Sequence, residues 1–335
     1  MARTLKVVHC GLGPIGQSIA RLTLEREGLH VIGATDPAAD QAGKDLGVVL
    51  GLGRKLRVKV DGNPEKFIRK SKADVAVLCT SSSLKAIRPQ VLGLIQRGMH
   101  VVTTCEELAF PTPEQQGIWR DIDRAAAAKK VTVLATGVNP GFAMDALPIA
   151  LTACCERVDR VVVNRVQDAR IRRLPFQQKI GAGLTTEQFQ KKVDDGSVRH
   201  VGLTESIAMI ADALGWPLDR ISDKVEAKIA QVTISSEYLA VDPGYVCGIV
   251  QEGIGYRKRE PVIRLYMEAY LGAPETYDAI EIEGSPRLSV KLAGGIHGDT
   301  ATAALVVNSL PKVLAASPGL HTMSDLPLPS YFAGQ

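Results

Sequence analysis

The sequence contains no C-x-x-C pair, no H-E-x-x-H, no excess of charge of one sign and no apolar run of the 18 or so residues that a membrane helix requires. Its six cysteines, Cys10, Cys79, Cys105, Cys154, Cys155 and Cys247, have neither metal-ligand nor redox spacing, and its six histidines stand singly. Neither a structural nor a catalytic metal is therefore expected. Three of the cysteines fall in or just after apolar runs, where a free thiol in a reducing compartment behaves as a small hydrophobe. With 40 basic and 36 acidic residues interspersed, the formal charge of +4 argues against a nucleic-acid partner. The densest basic stretches, Arg170 to Arg173 and Arg257 to Arg259, read as solvated loop or strand edges. No hydrophobic leader precedes the first strand pattern, so a cytoplasmic protein without a membrane partner is expected. There is also no internal repeat, low-complexity tract or long linker. What remains is a 335-residue chain, 45% hydrophobic, which predicts two domains with sizeable cores.

The first 36 residues carry the strongest pattern. An apolar run, Leu5 to Cys10, leads into Gly11-Leu12-Gly13-Pro14-Ile15-Gly16, and a second run, Leu29 to Thr35, ends on Asp36. In a strand–turn–helix of this kind Gly11 permits the tight turn, Gly13 lets the backbone approach a pyrophosphate, and Gly16 permits close helix packing. Pro14 suits the first helical turn, Ile15, Ile19 and Leu22 follow at helical spacing, and Gly28 is placed to end the helix. Asp36 at the end of the second strand is positioned to accept from a ribose 2′-hydroxyl and disfavours a 2′-phosphate by charge, although Lys44 or Arg54 lies within reach of one. The segment predicts a nicotinamide dinucleotide, NAD in preference to NADP.

Short apolar runs then alternate with amphipathic stretches, the pattern of a doubly wound parallel sheet. Strands are predicted at residues 74–79, 100–104 and 131–136, with helices from Leu84 to Gly98 and from Pro113 to Lys130. Ligands in such sheets bind beyond the C-terminal strand ends, which directs attention to loops 11–16, 36–41, 80–83, 104–108 and 137–142. Thr80, Ser81 and Ser82 are candidate cofactor donors, with turn formation the competing role. Beyond Phe142 the pattern changes: strands over 158–165, 225–234 and 262–271, the last alternating with period two, and helices over 186–193 and 204–214, predict a sheet with one covered face. Residues 301–314 predict a late helix with Asp299 or Thr300 as N-cap, followed by a Pro-rich tail returning to the first domain. The architecture expected is α/β: a doubly wound parallel sheet (Rossmann) over 1–141, a second α+β domain for substrate and dimerisation over 142–297, and residues 298–335 packing back on the first.

Glu106-Glu107 follows the strand ending near Thr104. Acidic residues favour helix first turns, but a carboxylate beside a nicotinamide also stabilises an ammonium or iminium, and burial can tune it as acid and base. The glycine string, Val102-Thr103-Thr104-Cys105-Glu106-Glu107-Leu108, Gly137-Val138-Asn139-Pro140-Gly141-Phe142, Lys179-Ile180-Gly181-Ala182-Gly183-Leu184-Thr185 and Gly298-Asp299-Thr300-Ala301-Thr302-Ala303-Ala304 together resemble the 2,4-diaminopentanoate dehydrogenase family. That family includes the native amine dehydrogenases and is related to the N-terminal domain of dihydrodipicolinate reductases. The resemblance implies NAD(P)H-dependent reductive amination of a ketone, an aldehyde or a 2-amino-4-oxopentanoate-like compound with ammonia, the reverse deamination, a homodimer, and a glutamate of the C-E-E segment next to the nicotinamide. It also implies that Asn139 orients the carboxamide, while Phe142, Phe176 and His297 are candidates for the substrate wall. Two relatives lose their key groups here: no H-H-x-x-K segment of a dihydrodipicolinate reductase is present, and Glu106 stands where a homoserine dehydrogenase needs lysine. Competing readings are a reductase of the dihydrodipicolinate type and a non-catalytic dinucleotide sensor.

Overall fold

The computed structural model describes residues 4–334. The chain forms two compact units, one running to Phe142 and resuming at His297, the other spanning Ala143–Ile296. Elements are numbered in chain order. In the first unit the apolar runs become β1 (Leu5–Cys10), β2 (Leu29–Thr35), β3 (Val60–Asp61), β4 (Val75–Leu78), β5 (His100–Thr103) and β6 (Thr132–Ala135), joined by β15 (Gly319–His321). Every pairing is parallel, and the order is β15-β6-β5-β4-β1-β2-β3. The chain moves outward from β1 to β3 on one side and from β4 to β6 on the other, so the order reverses between β1 and β4. A crevice is expected above the C-terminal ends of those two strands.

β4 and β6 are buried at every residue, as a sheet covered on both faces requires. The helices of this unit are α1 (Pro14–Leu24), α2 (Leu46–Val49), α3 (Pro64–Lys70), α4 (Leu84–Gln96), α5 (Gln116–Lys129) and α10 (Gly298–Ala315). Ile87, Val91, Leu94 and Ile95 of α4, with Ile122 and Ala126 of α5, close over Val8, Cys10, Ala76, Leu78, Val101 and Val133. Strand alternation sends Val7 and His9 to the opposite face, against which α1 and α10 lie. Two local expectations are corrected. α1 stops at Leu24, and Gly28, with φ of +76°, serves the turn into β2 instead of the helix end. α10 begins at Gly298, and its N-cap is His297, whose Nδ1 accepts from the Thr300 amide at 3.4 Å, so Asp299 and Thr300 lie inside the first turn. The tail lies on this unit: the Arg26 guanidinium stacks 4.7 Å from the Tyr331 ring, and Asn308 Oδ1 accepts from Phe332 N at 3.1 Å.

The second unit contains α6 (Ala146–Thr152), α7 (Leu174–Lys179), α8 (Thr186–Asp194) and α9 (Leu203–Ala213), with β7 (Arg157–Asp168), β8 (Arg220–Ile229), β9 (Ile234–Ser235), β10 (Ala240–Val241), β11 (Val246–Arg257), β12 (Glu260–Tyr270), β13 (Tyr277–Ser285) and β14 (Leu288–Ala293). Its main sheet runs β14-β13-β7-β12-β11-β8, antiparallel except for the β7–β12 pair. Ile263, Leu265, Met267 and Ala269 of β12 are buried, while Arg264, Tyr266, Glu268 and Tyr270 face the other way and are half-buried, which is the alternation of a sheet covered on one face. The strand expected over 225–234 is instead β8, which ends at Ile229; there the Ala230 amide and carbonyl turn to Tyr245 and Gly244, and β9 pairs separately with β10. β11 is not anticipated by the sequence, because Gly248, Gly253 and Gly255 dilute its strand signal. A Cβ at Gly253 or Gly255 would lie 2.7 or 2.8 Å from the Ile207 side chain of α9, so these glycines form the groove that seats the helix. The Arg170–Arg173 stretch is corrected as well: Arg170 is exposed, but Arg172 is buried, stacked 4.0 Å over Phe176 and donating to Gln167 Oε1 at 2.9 Å.

Two buried features have measurable consequences. Arg165 on β7 and Asp278 on β13, 3% and 1% exposed, form an ion pair at 2.6 Å, and Asp278 Oδ2 also accepts from Ile296 N at 2.7 Å. Asp278→Ala leaves a buried guanidinium uncompensated, and a loss of about 3–5 kcal/mol in denaturant unfolding is expected. Arg165→Met with Asp278→Leu should recover most of it; an equal loss in the double variant would refute the charge explanation. In the first unit His9 is fully buried with no hydrogen-bond partner for either ring nitrogen among the described residues, and burial lowers it from its ordinary 6.5 to about 4. The native ring therefore stays neutral where the unfolded ring binds a proton, so this stability is present above pH 6.5 and is lost as pH falls toward 4, by on the order of 3 kcal/mol. Thermal unfolding of His9→Leu should be less acid-sensitive between pH 7 and 4 than that of the wild-type chain; parallel curves would exclude His9 as a source.

Candidate active site

The three glycines of the first loop are required for different reasons. Gly11 has φ of +90°, and a Cβ there would sit 2.5 Å from the Cys79 carbonyl at the end of β4; a Cβ on Gly16 would fall 2.1 Å from the Gly11 carbonyl. Nothing lies within 4 Å of a Cβ on Gly13. Gly11 and Gly16 thus allow the β1 turn, α1 and the end of β4 to meet, whereas Gly13 opens on space at the N-cap of α1. That helix carries Pro14 in its first turn, has no acidic residue there and makes no side-chain cap hydrogen bond. Ile15 is half-buried beside Pro14. An uncapped N-terminus beneath an open backbone fits a pyrophosphate, through the amide dipoles and the positive end of the helix.

Asp36 leaves β2 at the next strand end and is 9% exposed. Its Oδ2 accepts from Leu12 N at 2.6 Å and its Oδ1 from Ala38 N at 2.9 Å. The carboxylate therefore holds the glycine loop from below, a role the sequence did not predict. Each oxygen keeps a second lone pair, which a ribose hydroxyl can use. Across the crevice the Cys79 amide donates to the Cys10 carbonyl at 2.7 Å. Thr80 Oγ1 bonds Gln90 Oε1 at 3.1 Å, and Ser81 Oγ accepts from Ser83 N at 3.1 Å, so the Ser81 hydroxyl shapes the turn. Ser82 offers its carbonyl rather than its hydroxyl, accepting from Glu107 N at 3.3 Å and from Cys105 Sγ at 3.1 Å.

Glu106 and Glu107 open a 3₁₀ turn, Glu106–Leu108, directly after β5. Both are half-buried, and Glu107 Oε2 accepts from Leu84 N, the first residue of α4, at 2.8 Å. Glu106 lies close enough to influence the thiols beside it. Burial, then the Glu106 charge, raise Cys105, and burial with the same charge pushes Cys79 up to about 12, against a Thr104 hydrogen bond. Both thiols are thus held protonated and unreactive. Asn139, 7% exposed, follows β6, and the same loop is braced by α10: Val138 N donates to Thr302 Oγ1 at 3.2 Å. Gly141 completes the turn with φ of +126°, where a Cβ would strike Gly137 N at 2.6 Å. Thr302 is a supporting residue that sequence reasoning missed, because its partner lies 164 positions away. Of the residues expected to line a substrate wall, Phe142 and the exposed His297 belong to the first unit, and Phe176 to the second, where its ring meets Arg172.

The glycine geometry predicts separable effects. Gly16→Ala should lower the thermal midpoint of the ligand-free protein, since overpacking typically costs about 1–3 kcal/mol. Gly13→Ala should leave that midpoint in place and weaken NADH or NADPH binding, followed by fluorescence titration, by ~10-fold or more. Identical behaviour of the two variants in both measurements would refute the division.

Comparison with known proteins shows the family. A family model described as the 2,4-diaminopentanoate dehydrogenase C-terminal domain matches residues 142–335. The 2,4-diaminopentanoate dehydrogenase of Acetoanaerobium sticklandii is 33% identical across 98% of this chain and 95% of that protein. The solved amine dehydrogenase of Mycobacterium smegmatis superposes with a TM-score of 0.88 at 24% identity, covering 99% of this chain and 98% of the other. The myo-inositol dehydrogenase of Lactobacillus casei, solved with NAD(H) and myo-inositol, shares the fold at a TM-score of 0.58 and 13% identity, over 96% of this chain and 89% of its own. By the extent of the family model and of the 33% identical relative, this chain belongs to the 2,4-diaminopentanoate dehydrogenase family.

Proposed function

We propose that this chain is a nicotinamide-dependent amine dehydrogenase, converting a ketone, an aldehyde or a 2-amino-4-oxopentanoate-like compound and ammonia into the amine, and the reverse. The observation that carries the reading is the placement of a carboxylate, Glu106, on the turn after β5, on the same sheet edge as the open Gly13 backbone. Gly11, Gly13, Pro14, Ile15 and Gly16 would hold the dinucleotide pyrophosphate, Asp36 a ribose, the Thr80–Ser82 turn the region beside it, and Asn139 the carboxamide. When bound, the nicotinamide supplies or accepts the hydride.

The chain's own residues do the rest. Glu106, whose charge acts on Cys79 and Cys105 at the ends of β4 and β5, is the group assigned to the reacting centre, while Glu107 holds the α4 amide. An ionised Glu106 attracts ammonium, takes its excess proton, returns one to the hydroxyl that leaves the hemiaminal as water, and then pairs with the substrate iminium. A lysine at this position would repel that cation. The Asp36 carboxylate makes NAD the favoured cofactor over NADP, since a 2′-phosphate would bring a second negative charge to it. The same reading takes the chain as a cytoplasmic homodimer, and the tyrosines and paired charges on the outer face of the second sheet, with Arg264–Glu252 at 2.6 Å and Lys228–Glu268 at 3.2 Å, are of a composition suited to contact with a second copy.

Glu106→Gln should reduce reductive amination by ~10²- to 10⁴-fold, followed as NADH or NADPH consumption with ammonia and a panel of ketones and aldehydes. Turnover near the wild-type rate would reject Glu106 as the proton-transferring group. Carbonyl reduction by the wild-type chain without ammonia would replace the amine reading by an alcohol one.

A further inference from the structure

The mechanism leaves one half of the acidic pair without a role in the chemistry, and the contacts of that half are unusual. α4 begins without the usual provisions of a helix N-terminus: Ser83 at its N-cap makes no side-chain cap hydrogen bond, and its first turn contains no acidic residue. The acceptor arrives from another strand end, as Glu107 Oε2 takes the Leu84 amide at 2.8 Å. The backbone on either side is tied to the same short segment, since Glu107 N donates to Ser82 O at 3.3 Å and Cys105 Sγ to Ser82 O at 3.1 Å. Cys105 N is in turn held by Thr103 Oγ1 at 3.2 Å, which itself donates to Leu78 O at 2.8 Å. The 3₁₀ turn is thus pinned to α4 and β4 immediately before and immediately after Glu106.

We propose that Glu107 is a positioning residue, whose carboxylate docks the Glu106–Leu108 turn on the N-terminus of α4 and thereby fixes where Glu106 stands. This rests on the assignment of Glu106 to the reacting centre. The arrangement needs the length and acceptor oxygen of the Glu107 side chain more than its charge: an acceptor at this distance satisfies the Leu84 amide whether or not it is ionised, and the charge adds only the helix-dipole contribution. A carboxylate taking part in proton transfer would have the opposite requirement.

Two conservative variants of the full-length protein separate these cases. Glu107→Gln keeps the reach and the acceptor and removes the charge, whereas Glu107→Asp keeps the charge and withdraws the acceptor from Leu84. Steady-state reductive amination should find Glu107→Gln retaining most of kcat, and Glu107→Asp losing about 10- to 100-fold in kcat with the cofactor KM little changed, the scale expected when a reacting group is displaced by an ångström or so. Hydrogen exchange at the Leu84 amide should accelerate in Glu107→Asp and remain slow in Glu107→Gln. Full activity in Glu107→Asp, or a Glu107→Gln variant as inactive as Glu106→Gln at an unchanged thermal midpoint, would overturn the positioning role. Wild-type turnover by Glu106→Gln would instead overturn the assignment beneath it, a result that the two Glu107 variants cannot mimic.

Discussion

The whole site depends on one close approach of backbones. Where β1 and β4 part company at the reversal of strand order, the Cys79 amide reaches the Cys10 carbonyl at 2.7 Å, Gly11 lies against the Cys79 carbonyl, and Gly16 lies against the carbonyl of Gly11. No side chain fits at either glycine, and the neighbouring interior, Cys10, Ala76, Leu78 and Cys105, has no residue branched at Cβ and is buried. With that contact made, the first helix starts directly over the sheet edge and the loops after β4 and β5 rise beside it. An added methyl group at Gly11 or Gly16 would push apart the β1 turn, α1 and the end of β4, on which the glycine loop and the Thr80–Ser82 turn are carried.

Two helix N-termini meet that edge, and they are treated in opposite ways. α1 begins with Gly13 and Pro14, without acid and without a side-chain cap, so its amides are left for an external anion. α4 begins with similarly poor local capping, yet its first amide is taken by Glu107 from within the protein. In the proposed reading a single negative ligand is thereby directed to one helix. The second N-terminus already has an internal acceptor, which in that reading keeps the ground beside it for a cationic substrate group and Glu106. Anion capture and amine chemistry would then be kept apart by one residue's choice of partner.

The first unit was legible because its determinants are local: the glycine string, the apolar runs and the strand–helix alternation each lie within a few residues of the structure they produce. What escaped notice was set by distance. Asp36 as a clamp on Leu12, Glu107 as the cap of α4 and Thr302 as the brace of Val138 pair residues 24, 23 and 164 positions apart, and nothing near any of them announces the partner. The second unit was less readable for a different reason. Its glycines at 253 and 255 look like turn formers, but they sit mid-strand in β11 to admit Ile207 and Leu203 of α9. Arg172 lies in a basic run that reads as solvent-facing, and its burial follows from Phe176 and Gln167, which cover and satisfy it.

Asp36 joins these two kinds of information. Its position at the end of β2 suggests a ribose acceptor, and its contacts make it part of the glycine loop. In the proposed reading the same carboxylate therefore sets cofactor preference and the shape of the phosphate cradle. Replacing it by a neutral, shorter side chain to admit a 2′-phosphate would also release the buried Leu12 amide, which costs about 1–3 kcal/mol if left unpaired. A route to NADP that preserves the loop must keep the acceptor and add positive charge nearby. Lys44 and Arg54, both exposed on the segment between β2 and β3, are the basic residues that the sequence offers for that charge.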